Sequence, residues 1–157
     1  MSQSTVSVSS VGDSELLSTL IDLALRTDAW EPLIRFEEER TWMRVDAGFG
    51  IDAWLIMWGP GHTTGMHDHG AAIGYFTVLR GSISETVAES PTEFSDHTYS
   101  TGDIRWLGPG LIHDMFNASE TGTLTLHVYR GLTSMTEYEV VGGRVIRGKT
   151  RRAGNDW

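Results

Sequence analysis

Three histidines in two glycine-rich segments form a group of residues with the chemistry of a metal site. His67 and His69 lie in the segment WGPGHTTGMHDHG, and His113 lies further along the chain in GPGLIHDMFN. Side chains of a β-strand alternate between its faces, so two histidines separated by one residue project to the same side. Neutral imidazole is the commonest metal ligand in proteins. The pair therefore predicts half of a metal site, although a bare His-x-His pair also occurs as exposed turn histidines.

A second group of polar side chains lies along one face of the segment TLTLHVYRG. Thr125, His127 and Tyr129 are spaced at i, i+2 and i+4, so one face of a strand presents a hydroxyl, an imidazole and a phenol in a row. A histidine between two hydroxyl groups can hold one tautomer and orient the phenol through hydrogen bonds. Such a phenol could donate a hydrogen bond or a proton during a reaction. The alternative is an ordinary strand of mixed polarity.

The framework that must position these side chains is predicted to be all-β. From about residue 40 to about residue 147 the chain has short strand-like runs, separated by turn signals such as GPG, STGD and LGPG. The runs are TWMRV, DAWLIMW, IGYFTVL, IRWL and TLTLHVY. Short strands separated by turns in this way are typical of a β-barrel or sandwich. The segments between the strands show no helix-length pattern, which argues against a parallel βαβ arrangement.

The region before the strands is predicted to be helical, over about residues 13–37. Residues 1–12 are expected to be a disordered N-terminus, and residues 13–157 a single domain. Asp13 or Ser14 offers a helix cap, and Pro32 suits the first turn of a second short helix. The apolar face of the first helix is predicted to comprise Leu16, Leu17, Leu20, Ile21, Ala24 and Leu25.

Composition narrows the classes of function. The 157-residue chain has a net charge of −9, which argues against nucleic acid as a partner. It has no cysteine, which excludes disulfides and metal ligation by a thiolate of the protein itself. With no signal-peptide pattern and no apolar run of membrane-spanning length, we expect a cytoplasmic protein that does not bind membranes, either a monomer or a homodimer. The basic cluster RGKTRR, residues 147–152, is expected to be a solvated tail.

The two histidine segments together resemble the two cupin motifs. The first reads G-x5-H-x-H-x11-G from Gly61 to Gly81, and the second, whose spacing departs by about one residue, contains His113. The resemblance implies a double-stranded β-helix, or jelly-roll barrel, with a metal site; a metal-free barrel is the alternative.

One expected ligand is missing. Most metal cupins have a glutamate ligand where this chain has Gly74. Three neutral imidazoles leave a divalent ion its full charge and open positions, which favours an anionic ligand from the substrate. A thiolate on iron fits this description, and a three-histidine zinc–water site is the competing option.

Over roughly residues 40–130 the chain resembles the cysteine dioxygenase family of thiol dioxygenases. The resemblance implies that the three histidines bind Fe2+ and that Tyr129 is the active-site tyrosine, supported by His127. It places Thr125 where the family usually has serine, and it makes Trp58 a residue of the pocket wall. Some members crosslink the tyrosine to a cysteine at the position of Gly74, so this chain cannot form that thioether.

In the same family an arginine on an earlier strand binds the carboxylate of the substrate. Arg40 is the better match by its spacing to Trp58, and Arg44, on the same alternation face, is the alternative. Either arginine could instead be a surface ion-pair partner of the nearby glutamates. The tyrosine that usually lies two residues before this arginine is Glu38 here. Related enzymes that act on 3-mercaptopropionate have glutamine at this position, so an arginine favours cysteine.

The predicted function is oxidation of a small thiol by O2, with both oxygen atoms added to sulfur. Cysteine, giving cysteine sulfinic acid, is the first candidate, and 3-mercaptopropionate or another thiol acid is the second. A cupin that binds a small molecule without turnover, and a zinc or manganese cupin that catalyses isomerisation or hydrolysis, are the alternatives from other classes. His62 is expected to bond backbone groups, and His97 to lie in a loop.

Overall fold

The computed structural model describes residues 9–152, which form two α-helices, a turn of 3₁₀ helix and eleven β-strands. The helical elements are α1 (Ser9–Leu25), α2 (Thr27–Trp30) and the 3₁₀ turn (Glu31–Leu33). The strands are β1 (Thr41–Val45), β2 (Asp52–Trp58), β3 (His67–Asp68), β4 (Ile73–Arg80), β5 (Ser82–Ala88), β6 (Phe94–Ser100), β7 (Ile104–Leu107), β8 (His113–Phe116), β9 (Thr123–Arg130), β10 (Ser134–Val141) and β11 (Arg144–Arg152). No helix within this part of the chain is long and apolar enough to cross a bilayer.

The strands form two antiparallel sheets that pack face to face. One sheet has the order β1-β2-β9-β4-β7, and the other has the order β11-β10-β3-β8-β5-β6. A core cluster joins the two sheets, because Trp58 and Phe76 of the first pack with Ile83 and Met115 of the second. The predicted all-β fold with a short N-terminal helical segment is therefore confirmed.

Strand β9 is buried along nearly its whole length, because other elements pack against both of its faces. Leu124, Leu126 and Val128 belong to a cluster with Leu16 and Leu20 of helix α1. The alternate residues of the strand, which include the predicted Thr-His-Tyr row, face the space between the sheets. Helix α1 thus covers the outside of the sheet whose inside carries part of the candidate site.

The start of helix α1 and its buried face differ from the sequence prediction. Within the described residues the helix already includes Ser9, so the predicted caps Asp13 and Ser14 lie inside it rather than at its start. Of the expected disordered segment, residues 1–8 lie outside the described residues. Within the helix Leu23 is buried, whereas Ile21 and Leu25 are 41% and 77% exposed, so their assignment to the apolar face was wrong. Leu25 follows Leu16 by nine residues, and at ~100° per residue this places it on the opposite side of the helix.

All five predicted strand runs are strands, but two polar segments were misread. His97 lies in strand β6 rather than in a loop, and the basic cluster of residues 147–152 lies in β11 rather than in a tail. Both strands are at edges of the six-stranded sheet and are mostly exposed. Edge strands commonly carry charged and polar side chains, so the alternation by which a half-buried strand is recognised is weak in them.

Candidate metal centre

Three histidines converge in the space between the two sheets. His67 begins strand β3 and is paired in register with His113 of β8, while His69 follows the end of β3. One ligand nitrogen from each of the three lies within 4.8 Å of the others. The imidazole ring centroids are 4.6 Å apart for His67 and His113, and 4.8 Å apart for His67 and His69. The predicted meeting of the three side chains is confirmed.

Burial keeps the imidazoles of His67 and His69 neutral. Burial, followed by the proximity of His113, lowers the pKa of His67 to about 3. Burial is also the main cause that lowers the pKa of His69 well below its ordinary value. The Nδ1 atom of His67 donates a hydrogen bond to the carbonyl of Gly65 at 2.9 Å, which leaves the lone pair of its Nε2 free. Neutral imidazole is the protonation state that metal binding requires.

The third histidine has an unsatisfied buried atom. Nδ1 of His113 lies 2.7 Å from Oε2 of Glu85, while its Nε2 is buried and has no hydrogen-bond partner among the described residues. A buried polar atom without a partner is costly, so such an atom calls for an explanation. A metal ion held by the three imidazoles satisfies it. The donor set therefore fits Fe2+, which accepts imidazole ligands, and also fits Zn2+.

Beside the histidines, four buried side chains form one hydrogen-bonded chain. Nε1 of Trp58 donates to Oγ1 of Thr125 at 2.8 Å, and the same oxygen lies 2.8 Å from Nε2 of His127. Nδ1 of His127 lies 3.2 Å from the phenol oxygen of Tyr129. Burial is the largest cause that raises the pKa of Tyr129, and it lowers the pKa of His127 to about 3. The phenol is therefore protonated and the imidazole neutral at pH 7.

The two candidate arginines lie in different environments. The guanidinium of Arg40 lies 5.2 Å from the ring centroid of Trp42 and 5.3 Å from that of Trp58, and it lines the cavity next to the histidines. It makes no ion pair with any carboxylate among residues 14–152. Arg44 pairs with Asp52 at 2.9 Å, its side chain is 60% exposed, and it does not line this cavity. Binding of a substrate carboxylate by Arg40 stays a prediction.

The cavity beside the triad has a volume of about 100 Å³ and a mostly apolar wall. In addition to predicted residues, it is lined by Trp42, Met135 and Glu137, which the sequence analysis did not single out. The sequence analysis also did not identify Glu85, whose carboxylate is hydrogen-bonded to Nδ1 of His113. A signal for Glu85 exists in the sequence, because in the run SISETVA this glutamate occupies the same alternation face as the apolar Ile83 and Val87.

His62 satisfies backbone groups, as expected. Its Nδ1 accepts a hydrogen bond from the backbone N–H of Gly59 at 2.8 Å, so its Nε2 carries the proton and donates to the carbonyl of Glu38 at 2.8 Å. This places His62 between the loop before the metal ligands and the segment that leads to Arg40.

The antiparallel double sheet and the buried histidine triad together define a cupin with a three-histidine metal site. In fold, the chain is similar to a Klebsiella pneumoniae protein with a double-stranded β-helix domain, with a TM-score of 0.57 and 15% sequence identity over 76% of this chain and 93% of that one. This similarity establishes the fold alone.

Sequence comparison gives the family. The sequence model of the family Cysteine dioxygenase type I matches residues 10–138, and the chain belongs to this family. It is 26% identical over 111 residues to the proteins named cysteine dioxygenase type 1 of Rattus norvegicus and Mus musculus. The matched region covers 64% of this chain and 56% of each of these proteins, so the chain spans about half the length of the curated relatives it matches.

Proposed function

We propose that this protein is an iron(II)-dependent thiol dioxygenase whose substrate is a small thiol with a carboxylate. Cysteine is the first candidate for this substrate. The observation that carries the proposal is Arg40, which is a largely desolvated cation without a carboxylate partner among the described residues, in the same cavity as His67 and His69. Burial lowers the pKa of Arg40, but a guanidinium remains charged at pH 7. A substrate carboxylate would provide the missing partner.

The chain's own residues account for binding and orientation. His67, His69 and His113 would hold Fe2+, and when bound the iron would supply open coordination positions for the thiolate and O2. Arg40, held between two tryptophan rings, would fix the carboxylate by charge-assisted hydrogen bonds. Anchoring the substrate at its carboxylate and at its sulfur positions the sulfur for reaction, which contributes much of the rate enhancement in such reactions.

The hydrogen-bonded chain gives Tyr129 a defined role. Trp58 is only a donor, so the hydroxyl proton of Thr125 remains for Nε2 of His127, its only acceptor among the described residues. The neutral imidazole of His127 then carries its proton on Nδ1 and donates it to the phenol oxygen. The proton of Tyr129 is thereby left available for a group bound at the triad, where negative charge develops on oxygen during the reaction.

The overall reaction balances without another reductant. A thiolate and O2 give a sulfinate, both oxygen atoms are bonded to sulfur, and the sulfur supplies the four electrons that O2 accepts. The mostly apolar cavity of about 100 Å³ suits a small thiol. We place the protein in the cytoplasm, where small thiols are kept reduced.

The test is anaerobic reconstitution with Fe2+, followed by measurement of O2 uptake and sulfinate with a panel of thiols. Cysteine has a carboxylate and an amine, 3-mercaptopropionate lacks the amine, and cysteamine lacks the carboxylate. We expect one sulfinate per O2 with cysteine and little uptake with cysteamine. Faster turnover of 3-mercaptopropionate would change the substrate and keep the reaction. Saturable thiol binding without O2 uptake would refute the proposal and favour a binding protein.

A further inference from the structure

The carboxylate of Glu85 is the one fully buried acid near the metal centre among the described residues, and the proposed reaction does not use it. Strand β5 alternates, and Ile83, Glu85 and Val87, which face the space between the sheets, are 1%, 0% and 4% exposed. Placing a charge on this apolar face costs free energy unless the charge is fully paired. The groups that form hydrogen bonds with Glu85 should therefore indicate its role.

Every partner of this carboxylate is a donor. Oε1 accepts hydrogen bonds from Nε of Arg105 at 2.9 Å and from the hydroxyl of Tyr99 at 3.2 Å. Oε2 accepts one from Nδ1 of His113 at 2.7 Å. With Nδ1 of His113 bonded to the carboxylate, Nε2 is the ring nitrogen left to bind a metal ion, and it is the buried atom without a partner among the described residues.

The imidazoles of the triad are not equivalent. The backing partner of His67 is the neutral backbone carbonyl of Gly65, whereas that of His113 is a charged carboxylate. A carboxylate behind a metal-bound histidine fixes its tautomer and ring orientation and makes the imidazole a stronger donor. It also brings a negative charge close to a site whose ligands from this chain are all histidines.

We propose that Glu85 is a positioning residue that fixes His113 as a metal ligand and increases its donor strength. The ion pair with Arg105 at 2.9 Å holds the carboxylate from its other oxygen, so that it cannot turn away from the imidazole. The proposal rests on the three-histidine metal site and is independent of thiol oxidation.

The test compares Glu85→Gln with Tyr99→Phe. The glutamine keeps the size of the side chain and removes its charge, whereas the phenylalanine removes a longer hydrogen bond to the same carboxylate and leaves its contact with His113. Titration calorimetry with Co2+, a probe that does not oxidise in air as Fe2+ does, should show binding ~10-fold or more weaker for Glu85→Gln. We expect Tyr99→Phe to stay within twofold of the wild type.

A second measurement separates this role from a merely structural one. In the iron-loaded protein, Glu85→Gln should raise the Fe(III)/Fe(II) midpoint potential, because a nearby negative charge stabilises Fe(III) more than Fe(II). Tyr99→Phe should leave that potential close to the wild-type value. If Glu85→Gln does not fold, Glu85→Asp tests the positioning role through Co2+ affinity, since the shorter side chain keeps the charge and withdraws the carboxylate from Nδ1 of His113.

Two results would overturn the proposal. One is Co2+ affinity within twofold of the wild type together with an unchanged potential when Glu85 is replaced. The other is an equal loss of affinity in Tyr99→Phe, which would mean that the buried network only supports the fold. A wild-type protein that binds Co2+ and shows no thiol oxidation would refute the proposed function while leaving these measurements decisive.

Discussion

The ring of Tyr129 packs directly on the backbone of Gly74 in the neighbouring strand. The two residues are opposite each other in the β4–β9 pair, and a Cβ atom at position 74 would lie 2.6 Å from Cδ1 of Tyr129 and 2.9 Å from the carbonyl oxygen of Val128. The ring thus occupies the space that any side chain at this position would need. A glutamate ligand at position 74 and a tyrosine in this place exclude each other, so the three-histidine site and the buried phenol are two consequences of one packing arrangement.

Replacement of Gly74 by alanine should therefore move Tyr129 and leave the metal ligands in place. We expect the kcat of Gly74→Ala for cysteine to fall about 10-fold or more, because a shift of the phenol weakens its hydrogen bond in the transition state. Iron content should stay near the wild-type level. Steady-state O2 uptake and metal analysis check both parts. Gly108→Ala is a matched control, because its Cβ would meet no atom closer than 3.5 Å.

Substitutions of Arg40 and Arg44 should have different effects on substrate binding. A charge-assisted hydrogen bond contributes about 1.5–3 kcal/mol, so Arg40→Gln should lower kcat/KM for cysteine by roughly 10- to 100-fold, chiefly through KM. Arg44→Gln removes an exposed ion pair with Asp52 and a contact with the ring of Trp54, and it should change kcat/KM less than twofold. An equal effect of both substitutions would contradict this assignment.

Removal of the phenol hydroxyl should affect the reaction more than binding. Tyr129→Phe keeps the ring against Gly74 and loses the proton donor, so we expect kcat to fall roughly 100-fold while KM for cysteine and iron content change little. Single-turnover oxidation of bound cysteine measures this step directly. A variant with the wild-type kcat would show that the proton of Tyr129 has no part in the slow step.

Buried His127 should make the metal-free protein less stable in acid. Burial lowers its pKa to about 3, whereas an unfolded histidine has a pKa of about 6.5. Between these values the unfolded chain binds a proton that the folded chain does not, so the free energy of unfolding decreases as the pH falls from about 6.5 toward 3. The loss is up to about 1.4 kcal/mol per pH unit for one such histidine.

This pH dependence can be measured by urea unfolding of the metal-free protein between pH 5 and pH 6.5, above the usual range of carboxyl titration. His127→Gln should show a shallower dependence of the unfolding free energy on pH, because glutamine does not titrate. An unchanged slope would show that His127 is not protonated on unfolding in this range.

Much of the site could be predicted from local patterns. The two-residue period of a strand places His67 with His69 and arranges Thr125, His127 and Tyr129 in one row, and it also marks Glu85 as an acid on an apolar face. These relationships are fixed by neighbours in the chain, so the residue order alone contains them. The polar edge strands β6 and β11 were not recognisable in this way, because solvent surrounds them and no alternation is required.

The amino-acid sequence by itself determined the class of fold, the metal ligands and the identity of the buried phenol, because each depends on residue type and local periodicity. Only the tertiary structure separated the environments of Arg40 and Arg44, which share one alternation face: Asp52 on the neighbouring strand holds Arg44 in an exposed ion pair, while Arg40 lies near the rings of Trp42 and Trp58 and lines the cavity. It also brought Glu85 to His113, since contacts between residues distant in the chain depend on how the sheets pair and pack.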